Sequence, residues 1–240
     1  MNTTTSPLVL KGISSMATKS ILLELTKLYQ DKSGVEVIIE SMGGVDASKH
    51  IQNGEAYDMA LLGSDAIDRL IQGDHLLADS RLDWVESPIA MAVPRGTAHP
   101  NISSEAHLKS AVLSSPSLSY STGPSGVYLE KLFDRWGITP QVKASLVVPP
   151  PGTPVGSLIA NGQVALGFQQ LSELISIDGI DVLGTLPEEI AYITIFSSGI
   201  PKAVAADRGR LSAVQSFLKF LNSPEVESIK KNQGMMALRG

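Results

Sequence analysis

The segment Leu118–Gly137, LSYSTGPSGVYLEKLFDRWG, predicts a strand, a tight turn and a helix in succession. The helix is expected from Ser125, because four apolar side chains after it recur with the spacing of one buried helix face: Leu129, Leu132, Phe133 and Trp136. Gly137 is expected to end the helix in the left-handed conformation. The turn contains hydroxyl residues, glycine and proline and no acidic side chain, so the free N–H groups at the helix start predict an anion site. An ordinary capped helix is the alternative.

The same strand–turn–helix arrangement is predicted at three earlier places in the chain. The predicted strands, at 8–10, 35–39 and 57–62, are followed in turn by Ser14-Ser15, by Gly43-Gly44 and by Gly63-Ser64. Ser14 or Ser15 is expected to cap the first helix, and Asp46 to be the N-cap of the second. Alternating strands and helices with short connections predict a parallel sheet with right-handed crossovers.

Composition restricts the class of protein. The 240 residues are 43% hydrophobic and 18% charged, which is typical of a globular protein. The net charge is −5 and no Lys- or Arg-rich run occurs, so we expect no nucleic-acid partner. No apolar run approaches the roughly 18–20 residues of a membrane span. The chain has no cysteine and its histidines lack metal-binding spacing, so we expect neither a metal nor a cofactor.

Two changes in sequence character indicate two α/β lobes. An apolar strand bracketed by Pro88 and Pro94 begins a second α/β unit, and β character at Ala191–Phe196 returns the chain to the first. We therefore expect lobe one at residues 1–86 plus 195–240 and lobe two at 87–194, with a ligand cleft between them. Further predicted elements of lobe two are a strand at 144–148, a rigid extended run at 149–152, a helix at 155–161, a strand at 164–168 and a helix beginning at 169.

The candidate binding residues come from the turns that follow the predicted strands. In open α/β sheets, ligands bind at the carboxyl ends of the strands. All the candidates are uncharged and, except for Met16, they are glycines or carry a hydroxyl or amide group. They are Ser14, Ser15, Met16, Gly43, Gly44, Ser64, Thr122, Ser125, Gly126, Gln169 and Gln170. Such a site suits a small oxyanion or carboxylate.

Three side chains near these turns are candidates for acid–base chemistry, and none of them is a clear base. Ser15 lies in the first turn, and Lys11 is expected near the end of the first strand, although strand-end lysines are commonly solvated. Tyr120 precedes the turn of lobe two, where an ordinary core tyrosine is equally expected. The catalytic residue is therefore left open by the sequence.

Several segments resemble the class II periplasmic solute-binding superfamily, on the branch of the molybdate-binding proteins. The similar segments cover nearly the whole chain: Ser15-Met16, 33–37, 51–54, 124–128, 165–168 and 220–225. The resemblance implies a two-lobed type II α/β fold, a small anionic ligand, a periplasmic location and, for a binding protein, a transporter permease as partner. Residues 1–7 are polar and lack the plan of a signal peptide, so a periplasmic location implies that one has been removed.

The resemblance also implies an altered binding pocket. A serine of the molybdate pocket falls at Gly44, an alanine at Ser125 and a tyrosine at Gln170, while Ser15 keeps its residue type. This rearrangement favours an organic anion. Residues 167–173 are similar to a subgroup that contains aconitate isomerases, which implies a cofactor-free allylic proton shift between trans- and cis-aconitate. The alternative is a non-catalytic binding protein of a transporter.

Overall fold

A computed structural model describes residues 8–150 and 152–238. The N-terminal residues 1–7 and part of the predicted extended run at 149–152 lie outside the described residues. The strands are β1 (Val9–Ser15), β2 (Glu36–Met42), β3 (Met59–Gly63), β4 (Leu82–Pro94), β5 (Leu118–Tyr120), β6 (Leu166–Gln170), β7 (Ile180–Thr185) and β8 (Ile193–Gly199). The helices are α1 (Lys19–Ser33), α2 (Gly44–Gln52), α3 (Ser64–Gln72), α4 (Glu105–Ser114), α5 (Pro124–Arg135), α6 (Thr139–Ser145), α7 (Val155–Ala160), α8 (Leu171–Leu174), α9 (Arg208–Phe220) and α10 (Glu227–Asn232).

The chain divides into two compact units. The first unit comprises the residues up to Glu86 together with those from Ile195 onward, and the second comprises Ser87–Thr194. Both are mixtures of strands and helices, so the α/β class predicted from the alternating pattern is confirmed.

The first unit is built on a sheet in which β1 lies between β2 and β3. Both neighbours run parallel to β1, and residues 196–199 of β8 pair antiparallel with β3. Helix α1 lies against this sheet and buries an apolar face that includes Leu22 and Leu25. The ring of Tyr29 packs on that of Phe217 from α9 at 5.1 Å between centroids. Strand β3 is buried on both faces, and its sequence, MALLG, accordingly has no polar side chain.

The second unit is built on a sheet in which β6 lies between β5 and β4. Strand β5 is parallel to β6, whereas β4 is antiparallel to both β6 and β7. Helix α5 packs Phe133 against Phe168 of β6, with ring centroids 6.4 Å apart. Gly137 has a φ of +69° just after α5, which confirms the predicted left-handed end of this helix.

Several local predictions are wrong in informative ways. The predicted strand at 144–148 begins as the end of α6, and Leu146 forms an isolated bridge with Leu118. The ladder cannot continue because Pro149 and Pro150 have no N–H to donate. The helix predicted from residue 169 begins instead at Leu171, since the two preceding glutamines end β6.

The starts of two other helices also differ from the prediction. Helix α5 begins at Pro124, one residue earlier than expected, with proline at a position where no N–H is needed. Gly43, rather than Asp46, is the N-cap of α2, and Asp46 lies in its first turn. An acidic residue in a first turn is favourable in itself, because it faces the positive end of the helix dipole.

Candidate functional site

The carboxyl end of β1 presents a cluster of hydroxyl groups in the first unit. Ser14 lies opposite Ser41 of β2, and their hydroxyl oxygens are 2.8 Å apart. The Ser15 hydroxyl lies 3.5 Å from that of Thr18, which itself donates to the Ser15 carbonyl oxygen at 3.1 Å. The prediction that a serine side chain caps α1 is wrong, because within the described residues neither serine bonds to a helical N–H. Met16, which follows directly, is half-buried.

The turns that begin α2 and α3 lie at the same edge of this sheet as the serines. Met42, the last residue of β2, is opposite Ser15, so that Gly43 and Gly44 follow at the same level. Gly63 is the N-cap of α3, and Ser64 is its first residue. Within the described residues, no side chain caps either helix, which leaves their first N–H groups open to a ligand.

Acidic residues distinguish these two helices from α5 of the second unit. Asp46 lies in the first turn of α2 and Asp65 in the first turn of α3, where each repels an incoming anion. Helix α5 has no acidic residue in its first turn and no side-chain cap within the described residues. Of the three helix starts, that of α5 is therefore the most favourable for an anion.

The start of α5 is held by close contacts between its first turn and Ser121, which lies three residues before the helix. The Ser125 side chain is 1% exposed, and its hydroxyl oxygen lies 2.7 Å from that of Ser121. A Cβ atom on Gly126 would lie 1.7 Å from the Ser121 carbonyl oxygen, so only glycine fits there. Thr122 is exposed beside this turn. The arrangement gathers hydroxyl groups and free N–H groups at one helix start, as the sequence predicts.

The two glutamines at the end of β6 are bonded to protein groups. Tyr120, the last residue of β5, is opposite Phe168, so Gln169 and Gln170 extend beyond β5. Oε1 of Gln169 accepts from the Gly156 N–H at 3.1 Å, and its Nε2 is also bonded. Nε2 of Gln170 donates to Oγ1 of Thr194 at 2.6 Å, whereas its buried Oε1 has no partner among the described residues.

The structure contradicts the prediction for Lys11. This residue precedes Ser15 by four positions, about 13 Å along a strand at roughly 3.3 Å per residue, and its side chain is exposed. Its N–H donates to Oδ2 of Asp58 at 2.7 Å, and Arg210 binds the same oxygen atom. Lys11 therefore lies toward the opposite end of β1 from the hydroxyl cluster. The sequence shows where a strand lies but not which of its residues comes last.

Tyr120 is turned toward the core of the second unit. Its ring packs on Phe133 with centroids 5.9 Å apart, and burial together with Glu130 raises the pKa of its hydroxyl. Glu130 lies well beyond the first turn of α5, so Tyr120 is the core tyrosine that the sequence allowed as an alternative. Ser15 carries no adjacent base among the described residues, which leaves its hydroxyl a donor or acceptor only.

A titratable group that the sequence interpretation missed lies beside the candidate glutamines. Nε2 of Gln169 donates to Oε1 of Glu173 at 2.8 Å. Burial raises the pKa of the Glu173 carboxyl to about 7, against the opposing effect of its hydrogen bonds. The available signal was an acidic residue, Glu173, between Ser172 and Leu174, the buried residues of a short helix, four positions after Gln169.

Other classes of site find little support in the described ranges, 8–150 and 152–238. They contain no group of three or more His, Asp or Glu residues that could hold a metal ion. No helix in the same ranges is long and apolar enough to cross a membrane. Two surface hollows of about 570 and 430 Å³ lie on the first unit, and of the candidate residues only Lys11 lines either of them.

Comparison with known proteins gives one family and one curated relative. The family model for bacterial extracellular solute-binding proteins matches residues 10–236. An aconitate isomerase from Pseudomonas sp. is 31% identical over 231 residues, which span 93% of this chain and 86% of that protein.

Many solved structures have a similar fold, and two of them illustrate the likeness. The periplasmic molybdate-binding protein of Azotobacter vinelandii matches with a TM-score of 0.77 and 18% identity, over 96% of this chain and 100% of that chain. A tungstate-binding protein from Desulfovibrio alaskensis G20 matches with a TM-score of 0.68 and 15% identity, over 97% of this chain and 100% of that chain. At these identities the likeness concerns the fold.

Proposed function

We propose that this chain, which belongs to the family of bacterial extracellular solute-binding proteins, is an isomerase that interconverts trans- and cis-aconitate. The chain has the two-lobed type II α/β fold of its structural relatives. The observation that carries the proposal is the 31% identity with an aconitate isomerase over most of both chains. The donor groups at the strand ends support it, because several hydroxyl and N–H donors can bind the carboxylate groups of a tricarboxylate.

The proposed substrate-binding residues come from both units. On the first unit they are the hydroxyl groups of Ser14 and Ser15 with the N–H groups that follow Gly43. On the second unit they are Ser125 and the free N–H groups of the first turn of α5. Each helix start favours an anion by about 0.3–1 kcal/mol, and a hydrogen bond to a charged group contributes about 1.5–3 kcal/mol.

The proposed reaction moves one proton and rearranges one double bond. A base removes a proton from the substrate methylene group, and the electron pair left on carbon spreads across the allylic system onto a carboxylate. Returning a proton at the other end of that system forms the isomer and restores the base. No electrons are lost or gained, so the reaction as proposed requires no redox cofactor. Donors aimed at the carboxylate stabilise the charge as it develops.

Incubation with trans-aconitate in heavy water, followed by proton NMR, tests this function. We expect cis-aconitate to appear, with deuterium incorporated at the exchanging carbon atoms. Double substitution of Ser15 and Ser125 by alanine is expected to reduce both signals together, because the donors are lost while the fold remains. Tight binding of trans-aconitate with neither cis product nor deuterium uptake would contradict the isomerase proposal.

A second candidate function is a solute-binding protein that delivers a small oxyanion or organic carboxylate to a transporter permease. The family description favours it, since it names solute binding and an extracellular location. Both candidates place the protein in the periplasm and require an anion to bind. Only the isomerase requires the exchange of carbon-bound hydrogen, which is why the heavy-water experiment separates them.

A further inference from the structure

A network of three hydrogen bonds joins the end of β6 to α7 and α8 in the second unit. The Gly156 N–H, in the first turn of α7, donates to Oε1 of Gln169 at 3.1 Å. Nε2 of Gln169 donates to Oε1 of Glu173 at 2.8 Å, and the Gln170 N–H also donates to Glu173. Gln169 is only 2% exposed, so water has little access to its amide, whereas the Glu173 side chain is partly exposed.

The chemistry of the groups determines the direction of each bond. A backbone N–H can only donate, so the amide oxygen of Gln169 must face Gly156, and its NH₂ group must face Glu173. Glu173 must therefore accept two hydrogen bonds, which a carboxylate does with both oxygens. A protonated carboxyl is a weaker acceptor, because it is uncharged and one of its oxygens carries the proton.

Burial opposes this preference for the ionised form. It raises the pKa of Glu173 to about 7, and no charged side chain among the described residues contributes to the shift. Helix α7 and strand β6 carry no ionisable side chain, and Glu173 is the single ionisable residue of α8. On β7, Asp181 is bound to the Gly96 N–H and to His99. The balance between burial and the network therefore decides the ionisation of Glu173 near neutral pH.

We propose that Glu173 is a positioning residue for the substrate site: its carboxylate, acting through Gln169 and the Gln170 N–H, fixes the end of β6. The role in substrate binding rests on the proposed function. Protonation weakens the acceptor that orients the Gln169 amide and loosens the backbone at Gln170. The Gln170 side chain, whose buried Oε1 has no partner among the described residues, then depends on its bond to Oγ1 of Thr194.

The network itself is tested by ¹H–¹⁵N NMR between pH 5 and 9, which requires no activity. In the wild-type protein we expect the N–H signals of Gly156 and Gln170 and the side-chain NH₂ of Gln169 to shift with one midpoint near pH 7. Glu173→Gln should abolish that midpoint, whereas Glu189→Gln, at an exposed residue of the same unit, should retain it. Signals that do not titrate, or that titrate equally in Glu173→Gln, would overturn the proposal.

The positioning role is tested by the pH dependence of kinetics with trans-aconitate as the probe. The wild-type KM is expected to be roughly ten-fold lower at pH 8 than at pH 6, and kcat is expected to change less. A ten-fold change in KM corresponds to about one hydrogen bond to a charged group. Glu173→Gln should keep the higher KM at both pH values. Gln169→Met, which retains the carboxyl but breaks the link to Gly156, should also raise KM.

The outcomes separate this proposal from the proposed function. If the network titrates but the protein neither binds nor converts trans-aconitate, the result contradicts the proposed function alone. An active isomerase whose KM has the same pH profile in wild type and Glu173→Gln contradicts the positioning role alone.

Discussion

Replacing Gly126 by alanine should displace the start of α5 and destabilise the protein. The new Cβ atom would lie 1.7 Å from the Ser121 carbonyl oxygen, less than half of an ordinary van der Waals contact. Because that neighbour is backbone, α5 or the Ser121 peptide must move by well over an ångström. Overpacking of this kind costs about 3 kcal/mol, whereas alanine in place of glycine in a helix gains about 0.5–1 kcal/mol. We therefore expect a net loss of about 2 kcal/mol.

The assay is thermal unfolding followed by circular dichroism, with anion binding measured on the same samples. A loss of about 2 kcal/mol lowers Tm by roughly 4–8 °C in a chain of this size. Gly44→Ala is the matched control, because a Cβ on that helix-start glycine would meet nothing within 4 Å. A Gly126→Ala protein with the Tm of Gly44→Ala would refute the packing argument.

Three further changes have defined outcomes. Ser15→Ala and Ser125→Ala should each weaken trans-aconitate binding by ten- to a hundred-fold in calorimetry, since each loses a hydrogen bond of roughly 1.5–3 kcal/mol, while the exposed Ser212→Ala should not. Burial raises the pKa of Glu173 from 4.5 to about 7, so the folded state keeps the proton of this carboxyl to a higher pH than the unfolded state does. The free energy of unfolding should therefore fall by roughly 3 kcal/mol as the pH rises between these values. Glu173→Gln should lack this fall when unfolding by urea is measured. Lys230 is 2% exposed, and burial lowers its pKa from 10.5 to about 8. Between these pH values the unfolded state binds more protons than the folded state, so the free energy of unfolding should rise with pH. An equal rise in Lys230→Met would contradict this assignment.

Local patterns in the sequence were enough to predict most of the helices and strands. The face of α5 and the left-handed Gly137 follow from residues close together in the chain, whose spacing and backbone freedom are local properties. The hydroxyl-rich turn before α5 also follows, because strand ends and helix starts are marked by the residues between them. The fold class needs no more than the order of these elements.

Tertiary structure decided what each polar side chain does. Gln169 and Glu173 look like ordinary helix residues in the sequence, and only the packing of α7 against β6 brings the Gly156 N–H to the amide that joins them. The depth of burial that shifts the Glu173 pKa likewise depends on residues far along the chain. Lys11 was misplaced for a related reason, since pairing with β2 extends β1 to Ser15. Periodicity is carried by neighbours in sequence, whereas ionisation and hydrogen-bond partners are set by neighbours in space.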